Sequence, residues 1–284
     1  MVLRRNLLSS AAALTVMALL LLRADIAAEA VQQGLSLCVR SLLPALFPFF
    51  VTVSFAVNAG LFHTLRRCGI SPAAAVFILG ALGGYPLGAR TAGEVYRAGL
   101  LSKQEAERLL SCCNNAGPAF ILTVVGRGIF QSHTSGLVLW GIHLLAALVS
   151  ALLFCQRSRH HNAAALPPPC APSRAFLLAV GSGAETMLHL SAFVVFFSVV
   201  TTLLPLPPLL AGLLELTVGI TSLSPTRTGF SLSALLLGWG GVSVCCQTAA
   251  VLSDTDLSVR PYLVGKALHG LLSAALAWCV YPFI

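Results

Sequence analysis

The chain has 284 residues, of which 57% are hydrophobic and 9% are charged, and its mean hydropathy is +0.89. Soluble domains average about 25% charged residues, so this composition excludes a water-soluble enzyme and a disordered chain. At roughly 20 apolar residues for each crossing, the length predicts an all-α polytopic membrane protein. The net charge of +8 fits Lys and Arg retained in cytoplasmic loops better than a nucleic-acid partner.

The N-terminus resembles both a membrane helix and a secretory signal. Arg4 and Arg5 precede an apolar run over 7–22, and the small-residue sequence Ala28-Glu29-Ala30 follows. We expect residues 1–30 to form an uncleaved transmembrane helix with its N-terminus inside. Cleavage after a signal segment is the alternative.

Basic loops separate the remaining apolar segments. Arg66-Arg67, the stretch 90–108 and the Pro-rich stretch 157–174 carry most of the positive charge of this region, which predicts that all three are cytoplasmic. We expect a first repeat at 31–155, a cytoplasmic linker at 156–174 and a second repeat at 175–284. The apolar segments lie at about 42–61, 71–84, 109–126, 135–154, 176–204, 208–221, 229–252 and 261–282.

No metal site, cofactor or disulfide is predicted. Most of the nine cysteines lie inside apolar runs without CxxC spacing, which is typical of buried free thiols. The adjacent His160 and His161 have no further candidate ligands nearby, which indicates a solvated loop.

The two halves resemble each other weakly. Residues 80–102 align with 237–259 at an offset of 157, which pairs Gly83-Gly84 with Gly240-Gly241 and Thr91 with Thr248. An odd number of crossings between the copies would invert the second one. Duplicated halves with glycine-interrupted segments in matching positions are typical of secondary transporters.

The first candidate site lies where Gly83-Gly84-Tyr85-Pro86 stops an apolar run of about ten residues. Such a run is too short for a layer about 30 Å thick, so the sequence predicts a re-entrant hairpin. Polar residues resume at Arg90. We expect the tip to be buried beside a site, with backbone N–H groups available to an anion.

The next helix is predicted to start at a capping box formed by Ser102 and Glu105 and to break at Asn114-Asn115-Ala116-Gly117-Pro118. Pro118 leaves a carbonyl one turn back without its helical partner. The Asn pair indicates a ligand or ion site, and a simple bridge between helices is the alternative.

In the second half, Glu215 lies in an apolar segment, and Ser243, Gln247 and Thr248 occupy the counterpart hairpin arm. Glu215 is a candidate for binding a coupling cation or a proton, with a structural pair to Arg90 as the alternative. A proton relay through Glu185 and His189 is a further hypothesis.

Enzyme motifs are not supported. Gly83 and Gly88 have P-loop spacing, but Ala89 occupies the lysine position and no strand precedes it. There is no HExxH or GxSxG motif, and Ser243 with His269 is the only loose nucleophile and base pair. No enzymatic activity is predicted.

The strings GGYPLGARTAGEVYRAGLLSKQEAERLLSCCNNAGPAFI, LLELTVGI, GWGGVSVCCQTAAVLSDTDLS and PYLVGKALHGLL resemble YlbJ-type sporulation integral membrane proteins of the nucleoside-recognition, or Gate, family. The resemblance spans about residues 35–280. It implies a fold like that of concentrative nucleoside transporters, with paired hairpins and broken helices. It also implies a site lined by Gly84, Tyr85, Arg90, Asn114, Asn115, Gln247 and Thr248.

The resemblance implies a place in the bacterial cell membrane or the mother-cell-derived outer forespore membrane. It implies a part in moving dipicolinic acid, or a similar small anion, toward the forespore, which we expect to occur by alternating access. The alternatives are a non-transporting scaffold, one component of a larger channel, and a nucleoside transporter. The expected partners are the anion, the lipid bilayer and either a second copy or other sporulation membrane proteins, and no nucleic acid.

Overall fold

The computed structural model describes residues 2–154, 168–204 and 206–284, and all regular structure in these ranges is helical. A π-helical turn covers Cys38–Leu42, and a second π-helical segment covers Phe120–Ile129. The α-helices are α1 (Val2–Leu22), α2 (Ala24–Leu37), α3 (Leu43–Asn58), α4 (Leu61–Arg67), α5 (Pro72–Gly83), α6 (Leu87–Arg97), α7 (Lys103–Cys113), α8 (His133–Phe154), α9 (Pro172–Leu203), α10 (Pro208–Leu214), α11 (Leu216–Thr221), α12 (Arg227–Trp239), α13 (Gly241–Val251) and α14 (Arg260–Val280).

Within the described residues, five helical segments are long and apolar enough to cross a bilayer. They carry large apolar side chains on their outer faces, such as Leu152, Leu177 and Leu188 at 75%, 72% and 69% exposure. Such a surface is stable against lipid and unfavourable in water. The chain is therefore a multi-pass membrane protein. The segments are Ala24–Asn58, His133–Phe154, Pro172–Leu203, Arg227–Val251 and Arg260–Phe283.

Short helices fill the space between the long ones. α5 packs against α6 and α7, and α10 packs against α11, while α14 lies along α7, α8 and α12. The capping box predicted at Ser102 is present, because Ser102 accepts from Glu105 N and Glu105 accepts from Ser102 N. Short helices need such partners inside a membrane, where exposed backbone groups have no water to bind.

Three connecting regions meet at one end of the molecule. Residues 57–63, 94–100 and 168–170 line a common surface recess, and Cys170 N donates to Asn58 O at 2.9 Å. The same end receives the loop after α13, where the Arg97 guanidinium contacts Asp254 at 2.6 Å. That the loops at Arg66-Arg67, 90–108 and 157–174 share the cytoplasmic side stays a prediction. The greater part of the predicted linker 156–174, with His160 and His161, lies outside the described residues.

Matching segments of the two halves contact each other across the core. α3 packs against α9, α6 against α13, and α7 against α14. Glycines with positive φ interrupt the chain at the predicted positions in both halves, at Gly84 and at Gly240-Gly241. The halves also differ, because α5 folds back on α6 whereas α12 and α13 together form a 25-residue apolar segment. Inverted copies and re-entrant insertion remain predictions.

Candidate functional site

Two helix breaks of the first half touch through their glycines. α5 ends at Gly83, and Gly84 adopts φ 80° and ψ 179°, a conformation that is largely restricted to glycine. α7 ends at Cys113, and an extended stretch leads to Gly117. A Cβ atom on Gly84 would lie 2.9 Å from both Gly117 Cα and Gly117 N. The two unwound backbones are therefore in direct contact.

Two breaks of the second half are joined in the same way. Glu215 interrupts the helical segment 208–221 between α10 and α11, and Gly240 separates α12 from α13, which starts at Gly241. A Cβ atom on Gly241 would lie 3.0 Å from Leu216 N. The sequence predicted the glycine break but not the interruption at Glu215.

Tyr85 connects the breaks of the two halves. Its hydroxyl donates to Leu237 O at 2.6 Å, and a Cβ atom on Gly240 would lie 3.2 Å from the same hydroxyl. The tyrosine is 8% exposed. Four interrupted helices thus converge within the described part of the chain.

A cavity of about 40 Å³ lies at this convergence. Its volume is sufficient for a few water molecules and insufficient for an aromatic diacid. Five of the predicted site residues line it: Gly84, Tyr85, Gly117, Glu215 and Gln247. The wall also includes Ala116, Leu216, Thr217 and Val244.

Buried polar groups stabilise the shell behind the cavity. Asn114 Nδ2 donates to Thr248 Oγ1 at 2.8 Å, while Asn114 Oδ1 accepts from Ala89 N at 3.3 Å. The amide of Asn115 donates to Cys112 O at 2.8 Å, and its Oδ1 has no hydrogen-bond partner in the described ranges. The predicted bridge between helices therefore exists at Asn114.

Glu215 is fully buried and caps α11. Its Oε2 accepts from Val218 N at 2.7 Å, and Ser243 lies beside the carboxylate. The alternative pairing of Glu215 with Arg90 does not form, because Arg90 Nε contacts Glu94 Oε1 at 3.1 Å. The carboxylate instead faces the cavity, where it could contact a cation or a proton.

Arg90 and Pro86 lie in a wider, open recess, which we call the vestibule. It has two parts of about 410 and 390 Å³ that share Pro86, Arg90, Glu94, Glu185 and Thr186. Such volumes are in the range of small-molecule sites. Gln247 and Leu190 line both the vestibule and the cavity. The exposed pair Glu185 and His189 therefore belongs to the vestibule and not to the buried shell.

Lys266 is the main site residue that the sequence interpretation missed. It lies in α14 with no solvent exposure, and its Nζ donates to Asn114 O at 3.0 Å and contacts His269 Nδ1 at 3.3 Å. Nζ also lies 5.2 Å from the centroid of the Tyr85 ring. Asn114 O is the carbonyl that Pro118 leaves without a helical partner. One lysine inside an apolar helix was the available signal.

His143 of α8 and His269 complete this buried group. The two rings are 4.4 Å apart, His269 Nε2 contacts His143 O at 3.0 Å, and His143 Nε2 accepts from Ala116 N at 3.1 Å. His269 is therefore engaged with Lys266 and His143, and the loose pair of Ser243 with His269 gains no support.

Comparison with known proteins gives one informative match. The chain is 26% identical, over 89% of its length and 77% of the relative's length, to the sporulation integral membrane protein YlbJ of Bacillus subtilis (strain 168). This similarity supports the placement of the chain in the YlbJ-type family. No family model matches the chain, and no solved structure is significantly similar to it.

Proposed function

Because the chain resembles a YlbJ-type sporulation integral membrane protein over most of its length, we propose that it is a secondary transporter of a small organic anion. Dipicolinate is the candidate substrate, and the direction is toward the forespore. The transporter cycle is alternating access, in which one bundle of helices moves against the other. A concentrative-nucleoside-transporter-like Gate fold is part of this proposal.

The convergence of four helix breaks on one polar cavity is the observation that carries the proposal. Irregular backbone at membrane depth is tolerated where protein covers it or where it lines a site. Interrupted helices in both halves of a membrane protein, meeting near its centre, are the arrangement in which secondary transporters bind substrate. Gly84, Gly117, Glu215 and Gly240 mark these breaks.

The surroundings of the cavity favour an anion on one side. The side chain of Tyr85, which lies just before α6, reaches Gly240 at the start of α13, and helix N-termini carry partial positive charge. The Lys266 ammonium lies behind the Tyr85 ring. Glu215 lies beside the start of α13 and is the candidate ion site predicted from sequence, since a bound cation or proton would neutralise its charge near the anion.

The vestibule provides the first contact for an incoming anion. Arg90 is partly exposed there and offers a guanidinium that can bind a carboxylate through two hydrogen bonds. Gln247 lies between the vestibule and the cavity, and its Oε1 has no hydrogen-bond partner among the described atoms. This side of the amide is therefore open to a ligand, and a 180° rotation of the amide would turn its NH2 donor toward a carboxylate there. The cavity must widen during the cycle to accept one.

Reconstitution into proteoliposomes tests this function. We expect uptake of radiolabelled dipicolinate above that of empty liposomes. Uptake of uridine, the alternative substrate, is measured in parallel. Gln247→Leu removes the available amide and is expected to lower uptake about tenfold or more, the value of one hydrogen bond to a charged group. Gln104→Leu, at an exposed position in α7, is the matched control. Uptake of uridine alone would favour the nucleoside transporter, and absence of uptake would favour a scaffold or a channel component.

A further inference from the structure

The Lys266 ammonium is enclosed by three acceptors and by no carboxylate. Asn114 O, His269 Nδ1 and the face of the Tyr85 ring surround Nζ. No Asp or Glu oxygen of the described residues lies within 4 Å of it. A buried cation without a counter-anion is costly inside a membrane, and such residues usually have a function.

The hydrogen bonds assign the proton positions of the two histidines. His143 Nε2 accepts from a backbone N–H, so its proton lies on Nδ1. His269 Nε2 faces a backbone carbonyl and must donate, so its Nδ1 is the acceptor for Lys266. Both rings are neutral in this arrangement. His143 cannot gain a proton on Nε2 without losing its backbone hydrogen bond, whereas Lys266 can gain or lose one while a remaining N–H still donates to Asn114 O.

The other titratable groups around Lys266 provide no alternative counter-charge. α7 contributes Cys112 and Cys113, α13 contributes Cys245, and α14 itself contributes Tyr262. The charged group of α12 is Arg227, whose guanidinium stacks on Trp278 and binds its carbonyl. The remaining neighbours are His143 of α8, His269 and Tyr85.

Nζ of Lys266 occupies the type of position that a coupling cation takes in transporters with broken helices. Coupling ions in broken-helix transporters are held by unwound carbonyls at the C-terminal ends of half-helices. Asn114 is the C-cap of α7, and the unwound stretch 114–117 both binds Nζ and lines the cavity. A ligand that moves this stretch would alter the acceptors of the ammonium.

We propose that Lys266 is the proton-coupling residue of the transporter and that its ammonium takes the place of a metal coupling cation. The inference rests on the proposed transport function and names its energy source. One proton from water binds the Nζ lone pair on the side of uptake, and the resulting positive charge favours the anion in the cavity. After the conformational change, the anion leaves and the same proton passes to water on the other side. Proton and anion therefore move in the same direction, because each raises the affinity for the other.

Uptake of dipicolinate by proteoliposomes in sodium-free buffer tests the coupling. We expect an outside-acid gradient to accelerate uptake by the intact protein and a trapped pH indicator to report protons entering with the anion. Between about pH 6 and pH 9, where dipicolinate stays ionised, the apparent affinity is expected to change by up to about tenfold for each pH unit. This slope is the signature of one linked proton.

Two substitutions separate coupling from folding. Lys266→Met removes the charge, and it is expected to flatten the pH profile and abolish the response to the gradient. Lys266→Arg keeps a permanent cation and is expected to bind the anion without proton coupling. The chain has one other lysine, Lys103, which is half exposed, so Lys103→Met is the matched control. Size-exclusion chromatography shows whether each variant folds, and the pH indicator assay on the intact protein needs no variant.

Several outcomes would overturn the inference. These are a sodium requirement without a pH effect, a folded Lys266→Met variant that keeps the full pH slope, and a slope that Glu215→Gln or His189→Gln removes instead. Absence of uptake for dipicolinate and uridine by the intact protein would refute the transporter itself, and the coupling with it.

Discussion

Replacement of Gly84 by alanine is the most direct test of the contact between the two breaks of the first half. The residue has φ 80° and ψ 179°, and a Cβ atom would lie 2.9 Å from the backbone of Gly117. Holding a non-glycine residue in this conformation costs about 1–3 kcal/mol. Overpacking against backbone atoms adds about 1–3 kcal/mol. We therefore expect a loss of about 2–6 kcal/mol in the free energy of unfolding.

The assay is reversible unfolding of the purified protein in mixed micelles, followed by circular dichroism. Gly117→Ala is expected to cost less, because its φ is not positive and the nearest atom to its Cβ would be Gly84 Cα at 3.2 Å. Gly141→Ala is the control, since it is exposed on α8 with no atom within 4 Å of the added methyl group. A Gly84→Ala variant as stable as Gly141→Ala would refute the contact.

Three further predictions test other features. Thr248→Val leaves Asn114 Nδ2 without its buried partner and is expected to reduce the free energy of unfolding by about 1–3 kcal/mol; in the same unfolding assay, the exposed Thr123→Val should change little. At the loop end, hydrogen bonds from Tyr96 and Lys103 lower the pKa of the Asp256 carboxyl, so this contact stabilises the protein at neutral pH and is lost on acidification; Tyr96→Phe should move that loss to higher pH, and an unchanged pH profile of unfolding would contradict the contact. Cys68 follows α4 at the loop end, whereas Cys279 lies near the far end of α14, which spans about 30 Å. In single-cysteine variants, an impermeant maleimide should label Cys279 from outside and Cys68 only after permeabilisation. Labelling of both cysteines from one side would contradict the predicted topology.

The helical elements were largely predictable from the sequence. The interruptions at Gly84 and Asn114–Gly117 are where glycine, proline and asparagine disrupt apolar runs, and the capping box at Ser102 is local chemistry. The helix breaks and the capping box could be predicted because each depends only on residues that are close together in the sequence. Glu215 shows the limit: the run around it has no glycine or proline at the break, and its carboxylate replaces the missing helical bond of Val218.

The composition and hydrophobic pattern by themselves determined that this is a multi-pass helical membrane protein with interrupted segments in both halves. Only the tertiary structure decided which breaks meet, that Arg90 belongs to the open vestibule, and that Lys266 binds the carbonyl of Asn114. The physical reason is distance along the chain. Lys266 is 152 residues from its acceptor, and no local pattern encodes a contact between residues so far apart, whereas hydrophobicity and helix breaking act within one or two turns.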